Sequence, residues 1–424
     1  MKILLPYGRS DFQIDLPDTG YKIDTLVPRH TQLSSHKPEI LVEEALSSPV
    51  GGLNPFGTVT RNTRVAITVN DKTRPVPNAL LLNPLISRLN QIGVPDTNIT
   101  LFIASGTHLP MTPKEYKLIL PLELITRFTV IPHDCDNYSN LYEIGTTTRG
   151  TPVSVNRNFY DHDLRIVVGD IELHHFAGYS GGVKSGAIGM CGRTTINTNH
   201  RWLMDTQSRM GEYDHNPLRQ DIEEIGRKIG IHCALNAVLN ENKEILAVFF
   251  GDPVQVMRKG IEVANGLSRV EIDEKYDLVI ASAGGYPKDI NLYQSQKAMT
   301  HASYFCKQNG TILLIAECSE GVGSDAYLEF MKDVTTTDEV VSKFSRQGFS
   351  VGPHKAFQIA RILENHKVFL YSSISHAQVS KLLIHPFNPG ILSSFLQENI
   401  PDQGRIAVIP HATACIPAFV GEAK

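Results

Sequence analysis

Apolar positions along the chain form short continuous runs that alternate with longer stretches whose apolar residues recur three and four apart. Residues 64–69 predict a buried strand. Asn78–Ile92 carries Leu81, Leu82, Leu85, Leu89 and Ile92 at helical spacing, and Ile99–Ala104 is a strand again. Residues 128–132 and 164–168 extend the series. Such alternation argues for a mainly parallel sheet covered by helices. Ahead of it, residues 2–6 and 11–16 read as a hairpin and Pro38–Ser47 as a helix. Within it, 142–146 and 151–156 form a second hairpin. Beyond it, 194–204, Pro217–Ile229 and 254–264 read as helices, with a hairpin of 232–239 and 244–250 turning at 240–243.

A polar stretch over 266–275 precedes a second alternation. Strands at 277–283, 311–316, Lys367–Tyr371 and Arg405–Ile409 are separated by helices from about Asn291, at 326–334, 377–383 and 391–398. The expected fold is therefore α/β, with two α/β domains, mainly parallel sheets and an active-site cleft between them. The domains are 1–268 and 269–424, with the last segment, about 405–424, free to return to the first.

Polar clusters sit where strands end, which is where open parallel sheets bind ligands. One is the run Asn70-Asp71-Lys72-Thr73-Arg74-Pro75; another is Ala104-Ser105-Gly106-Thr107-His108. Taken singly, Asp71 is turn chemistry, Arg74 a solvated charge and His108 a loop histidine. The densest cluster follows the strand at 164–168: Glu172-Leu173-His174-His175-Phe176-Ala177-Gly178-Tyr179-Ser180-Gly181-Gly182-Val183-Lys184-Ser185-Gly186. Glycines let backbone approach a phosphate, and successive N–H groups make an anion-binding concavity, here around Ser180, Gly181 and Gly182. A Walker loop requires lysine directly after the last glycine. Val183 intervenes here, so ATPase and kinase readings are set aside. The helix at 194–204 puts His200 on a rigid element within reach of this loop.

Composition narrows the classes. With 42% hydrophobic residues, net charge −4 and a pI near 6.5, nothing favours nucleic acid or an anionic membrane. No apolar run approaches the ~18 residues of a membrane helix. Six scattered cysteines without a CxxC pair read as reduced thiols, and the expected location is cytoplasmic. Three separated histidines, His108, His174 and His200, suit proton transfer or ligation of nickel, zinc or copper. An HExxH zinc motif is absent. Arg74 and Lys297 imply an anionic substrate. The residues alone suggest acid/base work on a small anion with a phosphorylated cofactor.

The motif of residues 174–184, with 71–75 before it and Gly284-Gly285-Tyr286-Pro287, Tyr293, Gln294 and Lys297 after it, resembles the nickel-pincer lactate racemase family. That resemblance implies a 2-hydroxy-acid racemase or epimerase. Its cofactor would be the nickel pincer nucleotide, pyridinium-3-thioamide-5-thiocarboxylic acid mononucleotide carrying Ni. Lys184 matches the covalent attachment point and His200 the protein ligand to nickel; Asp71, Ser180, Gly181 and Gly182 fall to the cofactor. His108 and His174 match the two acid/bases, and Arg74, Tyr293, Gln294 and Lys297 the substrate contacts. Implied partners are a small 2-hydroxy acid and cofactor maturation proteins, with no nucleic acid and no membrane; the oligomeric state is not encoded legibly.

The chemistry agrees with the resemblance. A Cα–H beside a hydroxyl is too weakly acidic for histidine, so it must leave as hydride, giving a 2-oxo acid. Two enantiomers place the hydroxyl differently, so two bases are needed. Residues 185–192 lack the Pro-Gly expected after the lysine, and Phe176, Tyr179 and Met190 are distinctive. The substrate therefore stays open among lactate, longer or aromatic 2-hydroxy acids, malate and sugar acids. The competing readings are an NAD-type oxidoreductase, for which no Gly-x-Gly-x-x-Gly follows a strand, and a non-enzymatic small-anion sensor.

Overall fold

The computed structural model describes all residues except 29–36, 53, 75, 241–242 and 421–424. Pro75 of the first polar cluster, turn residues 241 and 242, and the end of the expected 405–424 segment thus lie outside the described residues. The chain divides into two compact units, Thr31–Leu267 and a second that joins Met1–His30 to Ser268–Lys424.

The unit Thr31–Leu267 is built on a six-stranded sheet. Its order is Ile245–Gly251, Cys233–Leu239, Leu164–Asp170, Val65–Asn70, Ile99–Ala104, Thr129–Pro132. All neighbours are parallel except the first pair, the antiparallel hairpin expected from the sequence. The two central strands are apolar on both faces because both faces are covered. Ile67, Leu101, Ile166 and Leu235 pack with Leu81, Leu85 and Leu89 of the helix Asn78–Ile92 on one side. Val167, Ala234, Val256 and Met257 pack on the other. Full burial of each such side chain contributes about 1.5–3 kcal/mol, which fixes the strands from below the site.

Strand order sets where a ligand can bind. From Val65–Asn70 the chain steps outward to Ile99–Ala104 and Thr129–Pro132, then returns to Leu164–Asp170 on the opposite side. The order therefore reverses between Val65–Asn70 and Leu164–Asp170, and the crevice outside their carboxyl ends is the ligand position of such sheets. The polar clusters at 70–75 and 172–186 emerge from these two strands, and the one at 104–108 from the next strand out.

The second unit holds another six-stranded parallel sheet, ordered His385–Pro386, Lys367–Tyr371, Cys306–Ile315, Tyr276–Ser282, Arg405–Ile409, Lys22–Thr25. Two sequence expectations are corrected here. The first thirty residues do not join the first domain: Lys22–Thr25 pairs with Arg405–Ile409, and the hairpin Lys2–Tyr7 with Ser10–Asp15 buries Ile3, Leu5 and Ile14 in this unit's core. Nor does the last segment return to the first unit. Arg405–Ile409 sits inside this sheet, and Ile416–Phe419 pairs with Arg269–Ile272. Alternating apolar residues define a strand but do not name its partner. The sequence reading also omitted helices Thr337–Gln347 and Pro353–Leu363, although Thr336 with Glu339 forms a capping box and Pro353 opens its helix. All six cysteines are unpaired and buried, and no helix among the described residues is long and apolar enough to cross a membrane.

Candidate active site

The loop leaving Leu164–Asp170 turns back on itself as two short strands, Leu173–His174 against Gly178–Tyr179, with His174 opposite Gly178. Four aromatic or imidazole rings gather there. His174 and His175 stack at 4.7 Å between centroids. The Phe176 ring lies edge-on to His174 at 4.6 Å and to His175 at 4.4 Å, and reaches His200 at 5.2 Å. The loop then passes Gly181 and Gly182, both left-handed at φ 83° and 58°. A β-carbon on Gly181 would come within 2.6 Å of Ile171, and one on Gly182 within 2.6 Å of Met257. Glycine is needed at both positions for backbone conformation and for space.

Lys184 opens the short helix Lys184–Ala187. The residue is half-buried, yet desolvation pushes its amine well below the ordinary lysine range, and the charges of Arg74 and Arg219 push the same way. His200 ends the helix Arg193–His200, with Nδ1 3.1 Å from Asn199 Oδ1. Burial, then the Lys184 charge, lowers its pKa to about 3, so the imidazole is neutral, the form that ligates metals. Residues 194–204 are thus not one helix: a 3₁₀ turn, Arg201–Met204, follows His200.

The two other histidines make different hydrogen bonds. His108 Nδ1 lies 2.7 Å from Asp71 Oδ2. Burial alone would raise the Asp71 pKa, but the His108 hydrogen bond and charge and two hydrogen bonds from Thr73 outweigh it and hold the carboxyl below its usual range. Facing a carboxylate, His108 donates from Nδ1. In His174, Nδ1 instead accepts the Ala177 N–H at 3.2 Å.

Arg74 Nη1 donates to Glu172 Oε1 at 3.0 Å and to Ser180 Oγ at 3.3 Å. Lys243 reaches the other Glu172 oxygen at 3.5 Å. Asp170, at the strand end, is nearly fully buried with Oδ1 lacking a hydrogen-bond partner; desolvation and the Glu172 charge raise its pKa to about 6. The sequence candidates Asp71, Arg74, His108, His174, Ser180, Gly181, Gly182, Lys184 and His200 all belong to this one unit. Tyr293, Gln294 and Lys297 lie in the other, on the helix Leu292–Phe305. There Lys297 donates to Gln294 at 2.9 Å, and the Tyr293 ring is covered by the buried Lys355 ammonium at 5.0 Å.

Sequence reasoning placed Glu172 at the head of the loop without giving it a role, and it missed Asp170, Lys243, Lys355, Asn236 and the pair Arg219–Glu223. The last carried a signal. Arg219 and Glu223 are four residues apart among Leu218, Ile222 and Ile225, which places a charged pair on the apolar face of its helix. Removing one member of such a buried pair typically costs about 3–5 kcal/mol.

Residues 7–211 match the family model of the lactate racemase N-terminal domain, and residues 272–415 that of the C-terminal domain. A lactate racemase from Thermoanaerobacterium thermosaccharolyticum is 30% identical over 425 residues, 98% of each chain. One from Lactiplantibacillus plantarum is 29% identical over 378 residues, covering 87% of this chain and 88% of that one. The structure of the lactate racemase apoprotein from T. thermosaccharolyticum aligns with a TM-score of 0.89 at 28% identity, over 99% of this chain and 100% of the other. A crystal structure of a Thermotoga maritima protein, with a TM-score of 0.65 at 19% identity, shares the fold alone. Fold and relatives together define the class, a racemase-type isomerase of hydroxy acids. The chain belongs to the lactate racemase family.

Proposed function

We propose that this chain racemises a small 2-hydroxy acid, lactate first, using a nickel pincer nucleotide joined to Lys184. The observation that carries this reading is the desolvated Lys184 amine, set just after a loop whose two left-handed glycines leave no room for side chains. Covalent attachment needs an amine that gives up its proton, which desolvation favours at Lys184, and a nucleotide phosphate needs close backbone approach, which the two glycines allow. His200 supplies a neutral imidazole whose Nδ1 is engaged by Asn199, the arrangement that fixes a metal-ligating ring. Ser180, Gly181 and Gly182 would line the nucleotide. When bound, the cofactor would supply an electrophilic pyridinium carbon able to accept the substrate's Cα hydrogen as hydride.

The chain's own residues would handle the proton and the carboxylate. His108, anchored by Asp71, takes the hydroxyl proton of one enantiomer and His174 that of the other, and each returns its proton from the imidazolium when the reaction runs the opposite way. Asp71, given to the cofactor by its motif, is better read as the group that orients His108. Arg74 binds the carboxylate, with Glu172 and Ser180 holding its guanidinium. The family resemblance gives Tyr293, Gln294 and Lys297 a share in substrate binding, an assignment that rests on the motif.

Production alongside cofactor maturation proteins with nickel should yield a chain that converts pure L-lactate to an equal mixture of enantiomers, read by chiral chromatography. If neither lactate enantiomer interconverts but malate does, the substrate choice is wrong and the reaction class stands. Nickel content tests the metal ligand. His200→Ala is expected to lose most of its nickel on desalting, while His175→Ala keeps most of it. Equal retention in both variants would remove His200 from the metal.

A further inference from the structure

The helix Pro217–Ile229 presents its first turn to the Gly-rich loop, and three loop carbonyls end on it. Asn216, the N-cap, donates from Nδ2 to Phe176 O at 2.9 Å while its Oδ1 accepts the Arg219 N–H. Arg219, with no exposed surface, donates to Tyr179 O at 3.0 Å and to Gly181 O at 3.1 Å. Two further hydrogen bonds go to Glu223 Oε1, at 2.9 Å from Nε and 2.6 Å from Nη2. Tyr213 completes the enclosure: its hydroxyl donates to the same Glu223 oxygen at 3.1 Å, and its ring lies 5.2 Å from the Arg219 guanidinium carbon. From the sheet side, Asn236 Oδ1 accepts the Gly182 N–H at 2.7 Å. A β-carbon on Gly182 would sit 2.8 Å from Arg219 Nη2 and 2.6 Å from Met257 Cγ, so the guanidinium packs directly on the glycine backbone.

A surface turn does not need this. Buried arginine is costly unless it is paired and hydrogen-bonded, and here its four hydrogen bonds are divided between one carboxylate and two carbonyls of a single loop. Both carbonyls lie within five residues of Lys184. The planar fork holds two carbonyls and the carboxylate in one fixed geometry; the compact ammonium of a lysine lacks that fork.

We infer that Arg219 is a positioning residue for cofactor attachment: it locks the backbone from Tyr179 to Gly181 in the shape that presents Lys184, and Glu223 holds Arg219. The inference rests on the Lys184 reading for its purpose, though not for its geometry. A lysine displaced by about 1 Å from its partner reacts on the order of a hundredfold more slowly, so loss of the fork should appear as slow or incomplete loading.

Two measurements test this on the full chain. In the unmatured protein, backbone amide exchange over residues 178–184 should accelerate in Arg219→Lys and more so in Arg219→Met, with exchange over 222–229 unchanged in Arg219→Lys. In chains matured with nickel, intact mass should show Lys184 loading reduced on the order of a hundredfold in rate in Arg219→Lys. Glu223→Gln keeps an oxygen acceptor for the guanidinium and leaves Arg219 its two carbonyls, so it should lose stability, read as a lower melting temperature, while loading falls clearly less than in Arg219→Lys. Should Arg219→Met fail to fold, the Arg219→Lys and Glu223→Gln comparison decides. Wild-type loading in Arg219→Lys, or equal losses in Arg219→Lys and Glu223→Gln, would overturn the positioning role, the latter by showing a merely structural one. A wild-type chain that gains no mass at Lys184 would count against the attachment reading instead. Loop exchange unaffected by Arg219→Lys would overturn the clamp whatever the loading.

Discussion

A Lys184→Ala chain matured beside the wild type is expected to have the mass of bare polypeptide and no measurable racemisation. Alanine removes the one amine that the loop presents, and no other group there can form the same bond. The fold should survive, because Lys184 is only half-buried and opens a short helix without contributing to either hydrophobic core of its unit. Peptide mapping of the wild type should place the added mass on the fragment holding Lys184. Lys184→Arg separates charge from chemistry: it keeps a cation but cannot make the bond, and should be as inactive as alanine. An active, nickel-containing wild type whose Lys184 is unmodified would remove covalent attachment from the account.

Racemisation should collapse equally when either proposed base is removed. His108→Ala and His174→Ala each break one of two half-reactions in series, and loss of a positioned base costs about a hundredfold to ten-thousandfold. The two variants should differ in their remaining chemistry. Each retains one base, so each should oxidise one enantiomer in a single turnover, visible as a change in cofactor absorbance, and the preferred enantiomers should be opposite. Asp71→Asn offers a milder check on the His108 side, because it leaves the ring in place but loses the carboxylate that fixes its tautomer. Identical enantiomer preferences in the two alanine variants, or undiminished racemisation by either, would mean that these histidines are not the paired bases.

The site was more legible in the sequence than its supports were. Polar residues at strand ends announce themselves, because a parallel sheet buries the strands and leaves its ends for chemistry; Asp71, Arg74, His108 and Lys184 were visible on that ground. Arg219 was not, since a charged residue inside an amphipathic helix normally reads as part of the solvated face. Only its partner at Glu223 and its apolar neighbours betray the burial. Glu172 and Asp170 were given no role because their importance depends on what lies opposite, namely Arg74, Lys243 and a desolvated strand end. At the level of fold, periodicity identified strands and helices but not partners. The hairpin of Ile3, Leu5 and Ile14 has the same alternation whichever sheet it covers, and pairing of Lys22–Thr25 with Arg405–Ile409 joins residues nearly a whole chain apart.

The most direct test of the central claim follows the Cα hydrogen. Matured chain given pure L-lactate in deuterium oxide should produce D-lactate that keeps protium at Cα, because the hydrogen leaves and returns as hydride while only hydroxyl protons exchange through His108 and His174. Mass spectrometry of the separated enantiomers reads this in one experiment. D-lactate carrying deuterium at Cα would mean that the hydrogen left as a proton to a solvent-exchanging base, and the hydride account would be wrong.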